Sequence, residues 1–534
     1  MSELVLLGAR LLDPATGRRL PHTALAAAGG RISRLGDDRE VRALAGRAAT
    51  VIDVKGSVVI PGLTDGHMHP VSGAERTTGT DLSSCPDLAS AREALAGAAR
   101  DLAPGGWLRG WGLDPNVFGA EAVTSGPFGP ILDGIPAAID LFDGHSMLAS
   151  PRALELAGID GPRRFGQAAE VVCDEAGRPT GLLLEDAACA LVEAVAPVSS
   201  FDERCSRAAQ VLASMAAAGL TGGHAMDGDG LDVYAALEDS GSLPLRLRVA
   251  PWCQPGTGAD GVAGLVRAQG TGGRLWRVAG VKLFLDGTID NGTAWLERPD
   301  AFGDSDRAFW PDPSAYTSVI AALHRAGVPT ATHAIGDAAV RHVLDAVEKA
   351  RADCDRPVRH RVEHIETLQP SDLPRFASLG VVASMQAQHM MYLEPDRDDN
   401  WSRRLGDDRC DRAFMTRTLW ESGAMIALGS DWPVAHFDPR EGIAAARLRR
   451  PPGMRDRQPY DDQALDAVTA LAGYTSLAAR TVGQQDRLGT IRIAAAADLT
   501  VMAEDPVSCD ADDLPQNPIQ LTVVDGEVTF RSGV

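Results

Sequence analysis

Eight short apolar runs recur through the middle of the chain, and most are separated by helical patterns. They centre on 58–63, 220–223, 245–250, 278–284, 329–332, 361–363, 381–385 and 425–428, with amphipathic stretches such as 313–326, 337–350 and 412–422 between them. Alternation of this kind specifies an α/β fold built on a parallel sheet. Eight units predict a TIM-like (β/α)8 barrel, in which reactive groups gather at the C-terminal ends of the strands.

The two ends of the chain read differently. Residues 4–7, 23–27, 32–35 and 51–54 form short strand patterns, as do 499–502 and 521–530, the last pair turning at Asp525-Gly526. The expectation is one small β-sandwich domain built from 1–57 and 485–534, with the barrel over 58–484. The gap between the first two strands is too long for one crossover, so residues from about 70 to 217 read as an insertion overhanging the reactive face. It holds a helix pattern at 87–102, a Trp-rich turn around Trp107 and Trp111, and a hairpin at 169–184. Segment 396–412 mixes acids and arginines and reads as a solvated, mobile loop.

Charge and cysteine usage narrow the function. A net charge of −21, from 51 basic and 72 acidic residues, disfavours nucleic acid and anionic membrane as partners. The 8 cysteines are scattered, with no CxxC pair, which argues against a disulfide framework or a thiolate zinc site and fits a reducing cytoplasm. Glu3 stands where a signal peptide carries bases, and no stretch is long and apolar enough to span a bilayer.

Polar residues then mark the strand ends. His67-Met68-His69 closes the first apolar run, and side chains two apart on a strand share a face, which suits a divalent cation. Lys282 lies in an apolar fourth strand, where a cation is expensive to bury. A neutral lysine that has taken up carbon dioxide becomes an anionic oxygen donor able to bridge two metals. His333, His364 and Asp431 end the fifth, sixth and eighth strands. Such a set can hold one or two ions, with zinc expected, and can bring the pKa of a bridging water toward neutrality. Asp431 can bind metal, take the proton from that water as general base, and return it as general acid.

This order of HxH, Lys, His, His and Asp resembles the amidohydrolase superfamily. The phrases Val281-Lys282-Leu283-Phe284-Leu285-Asp286-Gly287, Thr332-His333-Ala334-Ile335-Gly336-Asp337, Arg361-Val362-Glu363-His364 and Gly429-Ser430-Asp431-Trp432-Pro433-Val434 resemble its family 3 branch, the N-substituted formamide deformylase-like amidohydrolases. The resemblance implies that His67, His69, Lys282, His333, His364 and Asp431 form the metal site, that Lys282 is carbamylated, and that a C–N bond of a small amide is hydrolysed. His145, in Asp143-Gly144-His145-Ser146, and Glu185, in Gly181-Leu182-Leu183-Leu184-Glu185, fall in segments resembling pocket-lining ones. His389 and Trp295 are further candidate substrate contacts, His224 is a supporting or core residue, and His324, His342 and His360 are structural. Two departures stand out: Gln386-Ala387 replaces a Gln-Pro pair, and 492–498 lacks a Pro-Gly-Lys turn.

Three alternatives remain. A deaminase of the superfamily would carry a glutamate after the fifth-strand histidine, where this chain has Ala334-Ile335-Gly336. Cyclic-amide, carbamate or lactone hydrolysis stays open. A non-catalytic scaffold would have shed ligands, yet all six stand. The expected partner is a small-molecule amide, with a homodimer as the assembly to test.

Overall fold

The computed structural model describes residues 3–119 and 121–534, and its fold is mixed α/β. Two parallel sheets dominate the middle. One runs in the order Trp276–Val278, Arg246–Val249, Leu220–Ala225, Leu63–Met68; the other runs Val281–Phe284, Thr330–Ala334, Arg361–His364, Val382–Met385, Met425–Leu428. The sheets touch at both edges: Met68 bridges Trp432 at one seam, and Trp252 bridges Lys282 at the other. Parallel neighbours need crossovers, and helices supply them. In Asp337–Asp353 the buried residues Ala339, Val340, Val343, Leu344 and Val347 recur at helical spacing against the strands. Pro313–Ala326 begins at Asp312, which accepts from Ser314 N, and ends at Gly327, whose φ of +78° suits a residue without Cβ.

Strands from both ends of the chain build a six-stranded sheet, ordered Glu527–Arg531, Ile519–Val524, Leu499–Met502, Val58–Pro61, Arg10–Asp13, Arg18–Arg19. A four-stranded sheet of Arg31–Gly36, Ala24–Ala28, Leu4–Leu7 and Thr50–Asp53 shares a core with it through Leu6, Leu25, Ile52, Val59 and Val501. Arg246, on a strand of the middle, pairs with Asp498 at 2.7 Å and Asp525 at 2.9 Å, tying the terminal sheets to it.

Three boundaries differ from the sequence reading. The apolar run 58–63 is two strands. Val58–Pro61 pairs with Leu499–Met502 and Arg10–Asp13, while Leu63–Met68 pairs with Leu220–Ala225. The break falls at Gly62, where a Cβ would lie 2.0 Å from Thr221 Oγ1. Both halves are buried, so hydrophobicity shows no seam between them.

The inserted sheet runs Glu170–Cys173, Pro179–Leu184, Ser146–Ala149, Ala137–Leu141, Leu108–Leu113, Thr80–Asp81. Trp111 sits within its strand Leu108–Leu113 rather than in a turn. Residues 201–217, read as the end of the insertion, form helix Phe201–Ala217, which packs Ala208, Leu212, Met215 and Ala216 into the same core as the parallel strands.

Segment 396–412 is not a bare loop. It contains helices Asn400–Leu405 and Asp407–Cys410, with Trp401, Leu405 and Cys410 buried beside Met390, Leu393 and Phe414. The charge run masks an apolar i, i+4 pair, Trp401 and Leu405. Among the described residues no helix is long and apolar enough to cross a membrane.

Candidate metal centre

The C-terminal strand ends bring His67, His69, Lys282, His333, His364 and Asp431 together. Asp431 is the hub. Its Oδ1 lies 3.2 Å from His67 Nε2 and 3.1 Å from His69 Nε2. Its Oδ2 lies 3.7 Å from His364 Nδ1 and 3.6 Å from His389 Nε2. Lys282 Nζ stands 3.3 Å from His67 Nε2, and the His333 and His364 ring centres are 4.4 Å apart. The backbone turns sharply to present two of these groups: His364 has φ +75° and Asp431 φ +60°. Positive φ on a residue with a Cβ costs of order 1–3 kcal/mol, which the surrounding packing must hold in place.

A buried frame holds the cluster from behind. His67 Nδ1–H donates to Glu363 Oε2 at 2.7 Å, which leaves the Nε2 lone pair facing Asp431 and Lys282. Arg361 forks onto Glu363, Nε to Oε1 at 2.9 Å and Nη2 to Oε2 at 3.0 Å, and also donates to Gly66 O, Ser384 Oγ and His224 Nδ1. Asp65 joins the first strand to the eighth: Oδ1 accepts from His67 N and Ser430 N, and Oδ2 from Ser430 Oγ. Asp286 accepts from the backbone N–H groups of Trp295, Ile335 and Gly336, fixing the turn after His333.

Electrostatics favour cation-binding forms. Burial pushes the pKa of His69, His333 and His364 down, so their imidazoles are neutral and their lone pairs free. For Asp431 burial works the other way, but the imidazoles gathered around it, His67, His364 and His69, hold its carboxyl well below the usual range. Arg361 and His67 do the same for Glu363 against its burial. Burial brings the Lys282 amine down to about 8.

The insertion supplies part of the wall. His145 Nδ1–H donates to Glu185 Oε2 at 2.9 Å, and its ring centre lies 4.9 Å from that of His333. Burial opposes the charge on His145, but Glu185 raises its pKa to about 9. A cavity of about 50 Å³ is bounded by His69, His145, Trp252, Lys282, His333 and Asp431. A neighbouring one of about 40 Å³ is bounded by Asp143, Asp290, Glu366, His389, Tyr392 and Trp401.

Trp295 lies elsewhere. Its ring packs 5.5 Å from that of His342 and lines a groove of about 1230 Å³ between the insertion and the strand-end loops. His324 and His360 pair with each other, far down the strands, at 2.9 Å. Sequence reasoning gave no role to Arg361, Glu363, Asp65 or Asp286. The available signal was charge at every second residue of an otherwise buried strand, Arg361 and Glu363.

The donor set fits a divalent cation. The ligand atoms of His67, His69 and Asp431 lie within 4.8 Å of one another, as do those of His364, His389 and Asp431. Both ring nitrogens of His364 and Nε2 of His389 are sealed from solvent without a hydrogen-bond partner among the described residues. Buried polar atoms are seldom left so, and a shared ion satisfies several at once.

Comparison with known proteins agrees with this chemistry. A family model described as "Amidohydrolase family" matches residues 50–530. The protein LONG AFTER FAR-RED 3 of Arabidopsis thaliana is 28% identical over 504 residues, covering 90% of this chain and 84% of its own. An N-substituted formamide deformylase of Arthrobacter pascens is 27% identical over 529 residues, covering 95% of both chains. Among solved structures, an uncharacterised metal-dependent hydrolase from Pyrococcus horikoshii superposes with a TM-score of 0.73 at 21% identity, covering 96% of this chain and 99% of that one.

Proposed function

The chain belongs to the amidohydrolase family, and from that premise we propose that it is a metal-dependent hydrolase cleaving the C–N bond of a small amide. The observation that carries this reading is Asp431, one carboxylate oxygen facing His67 and His69 and the other facing His364 and His389. We read the parallel strands as a (β/α)8 barrel, the terminal sheets as a sandwich, and the insertion as the cap of the reactive face.

His67, His69, His333, His364 and Asp431 would hold the cation or cations, with zinc the expected metal, and Lys282 would join them as a carbamate. A cation held there would supply Lewis acidity toward the carbonyl and the water. The chain's residues do the rest. Asp431 takes a proton from the attacking water and hands it to the leaving nitrogen, so amide and water become acid and amine. Glu363, fixed by the Arg361 fork, keeps the His67 proton on Nδ1 and its Nε2 pointed into the site. No carboxylate stands within ion-pair distance of Lys282 among the described residues, and burial, by lowering its pKa to about 8, raises the fraction of neutral amine, the form that takes up carbon dioxide.

The relative named N-substituted formamide deformylase makes N-formyl amides the first class to test, followed by N-acyl amides. The experiment is metal analysis of the purified protein with an activity screen of zinc-loaded enzyme on those panels. Expected is bound metal, turnover of at least one amide, and near-complete loss of turnover in Asp431→Asn with metal partly retained. Lys282→Ala should lose metal and regain some with short carboxylic acids. A metal-free, inactive wild type, or an active Asp431→Asn, overturns the reading.

A further inference from the structure

A further cavity, of about 530 Å³, is bounded by the N-terminal ends of strands Val281–Phe284, Thr330–Ala334 and Arg361–His364 and by His224, Met226, Arg248 and Ala250 of two neighbouring strands. Arg248, Arg356, Arg359, Arg361 and His224 reach its wall, and among the described residues no aspartate or glutamate lines it. In a chain of net charge −21 this is an anomalous concentration of one sign. Arg361 is committed to Glu363. The other three are not. Arg248 makes no hydrogen bond or ion pair among the described residues, and its Nε is sealed from solvent without a partner. Burial, with Arg361 and Arg277 nearby, brings its pKa down to about 10, the mark of a cation lacking compensation. Arg359 donates only to Arg480 O, at 3.0 Å, and the exposed Arg356 has no side-chain partner among the described residues.

The rim leaves these head groups room. A Cβ on Gly327 would lie 3.0 Å from Arg356 Nη1, and one on Gly483 would lie 3.0 Å from Arg359 Nη1. Met226, Ala250, Val281 and Val358 give the wall an apolar part, beside Thr330 and Thr481. Unpaired buried charge is costly, and guanidinium forks match carboxylate and phosphate geometry. The volume falls in the range of small-molecule pockets.

We propose that this cavity binds a small organic oxyanion, a carboxylate or a phosphate ester, held by Arg248 inside and by Arg356 and Arg359 at the mouth, with its apolar body against Met226, Ala250 and Val281. The site is independent of the hydrolytic reading.

Calorimetric titration of the metal-loaded full chain, at low salt, with inorganic phosphate and separately with octanoate tests it. Expected is saturable one-site binding of at least one probe, with Kd on the order of 1 mM or tighter. That affinity should fall about tenfold in Arg248→Gln and severalfold in Arg356→Glu. Phosphate binding alone assigns the phosphate head, and octanoate binding alone assigns a carboxylate with an apolar tail. The exposed, unpartnered Arg356 makes Arg356→Glu decisive if Arg248→Gln melts early. The proposal falls if neither probe saturates, or if binding persists unchanged in the variants, which would assign it to the metal centre.

Discussion

His360 stands just before the strand Arg361–His364, and His364 closes it. Both are buried, and burial holds the pKa of both down. Their surroundings are opposite. His360 Nε2 meets His324 Nδ1 at 2.9 Å and its Nδ1 meets Thr330 Oγ1 at 2.8 Å, so the ring is fully used. Neither nitrogen of His364 has a hydrogen-bond partner among the described residues. The lesson is that burial and protonation state do not separate a packing histidine from a candidate ligand. What faces the two nitrogens does.

Substitution at each end tests that contrast. His364→Ala should cut turnover by about 10³-fold, as expected when a group at the reacting centre is lost, with the melting temperature little changed; a variant retaining wild-type kcat would remove His364 from the chemistry. Glu363→Gln, one residue away, leaves every candidate ligand in place but removes the charge and turns one of the two oxygens shared by His67 and Arg361 into an N–H donor, weakening the hold on His67. Metal affinity should drop about 10- to 100-fold, read by competition with a chelator.

At the other end, His360→Leu should leave activity per folded molecule intact. It strands His324 and Thr330, costing about 1–3 kcal/mol for each buried group left unpaired. Loss of kcat there, with stability unchanged, would collapse the distinction.

The smallest effect is in pH dependence. His360 has a folded-state pKa of about 3, below its unfolded value of about 6.5. Between those values the unfolded chain binds the extra proton. The contribution of His360 is therefore whole above pH 6.5 and drains away as pH falls toward 3. The gap between wild type and His360→Leu in denaturant midpoint should narrow from pH 7 to pH 5; a constant or wider gap would contradict the assignment.

The sequence carried the reactive face further than it carried the frame. His67, His69, His333, His364 and Asp431 were each visible as polar groups ending apolar runs, and Lys282 as a charge inside one; the structure brings them together. Lost from view were the features that depend on a partner distant in sequence. Glu363 reads as one more charge until Arg361 and His67 are seen on either side. The run 58–63 reads as one strand because each half is buried by a different sheet. Trp401 and Leu405 disappear among acids and arginines whose own partners, such as Arg397 with Asp407 and Asp411, lie at the surface. His389 was placed beside a substrate, whereas its Nε2 also faces Asp431.

The terminal sheet has a consequence for synthesis. Val59 pairs with Val501, and Leu63, which opens the strand bearing His67, follows that pairing directly. As the chain leaves the ribosome, Val58–Pro61 has Arg10–Asp13 on one side and nothing on the other until residues 499–502 arrive. Contacts so distant in sequence form late and slowly. A prematurely ended chain therefore keeps an open strand edge at the root of the histidine pair, the kind of edge that chaperones and proteases recognise. Residues 499–502 thus close an edge laid down more than 400 residues earlier, at 58–61.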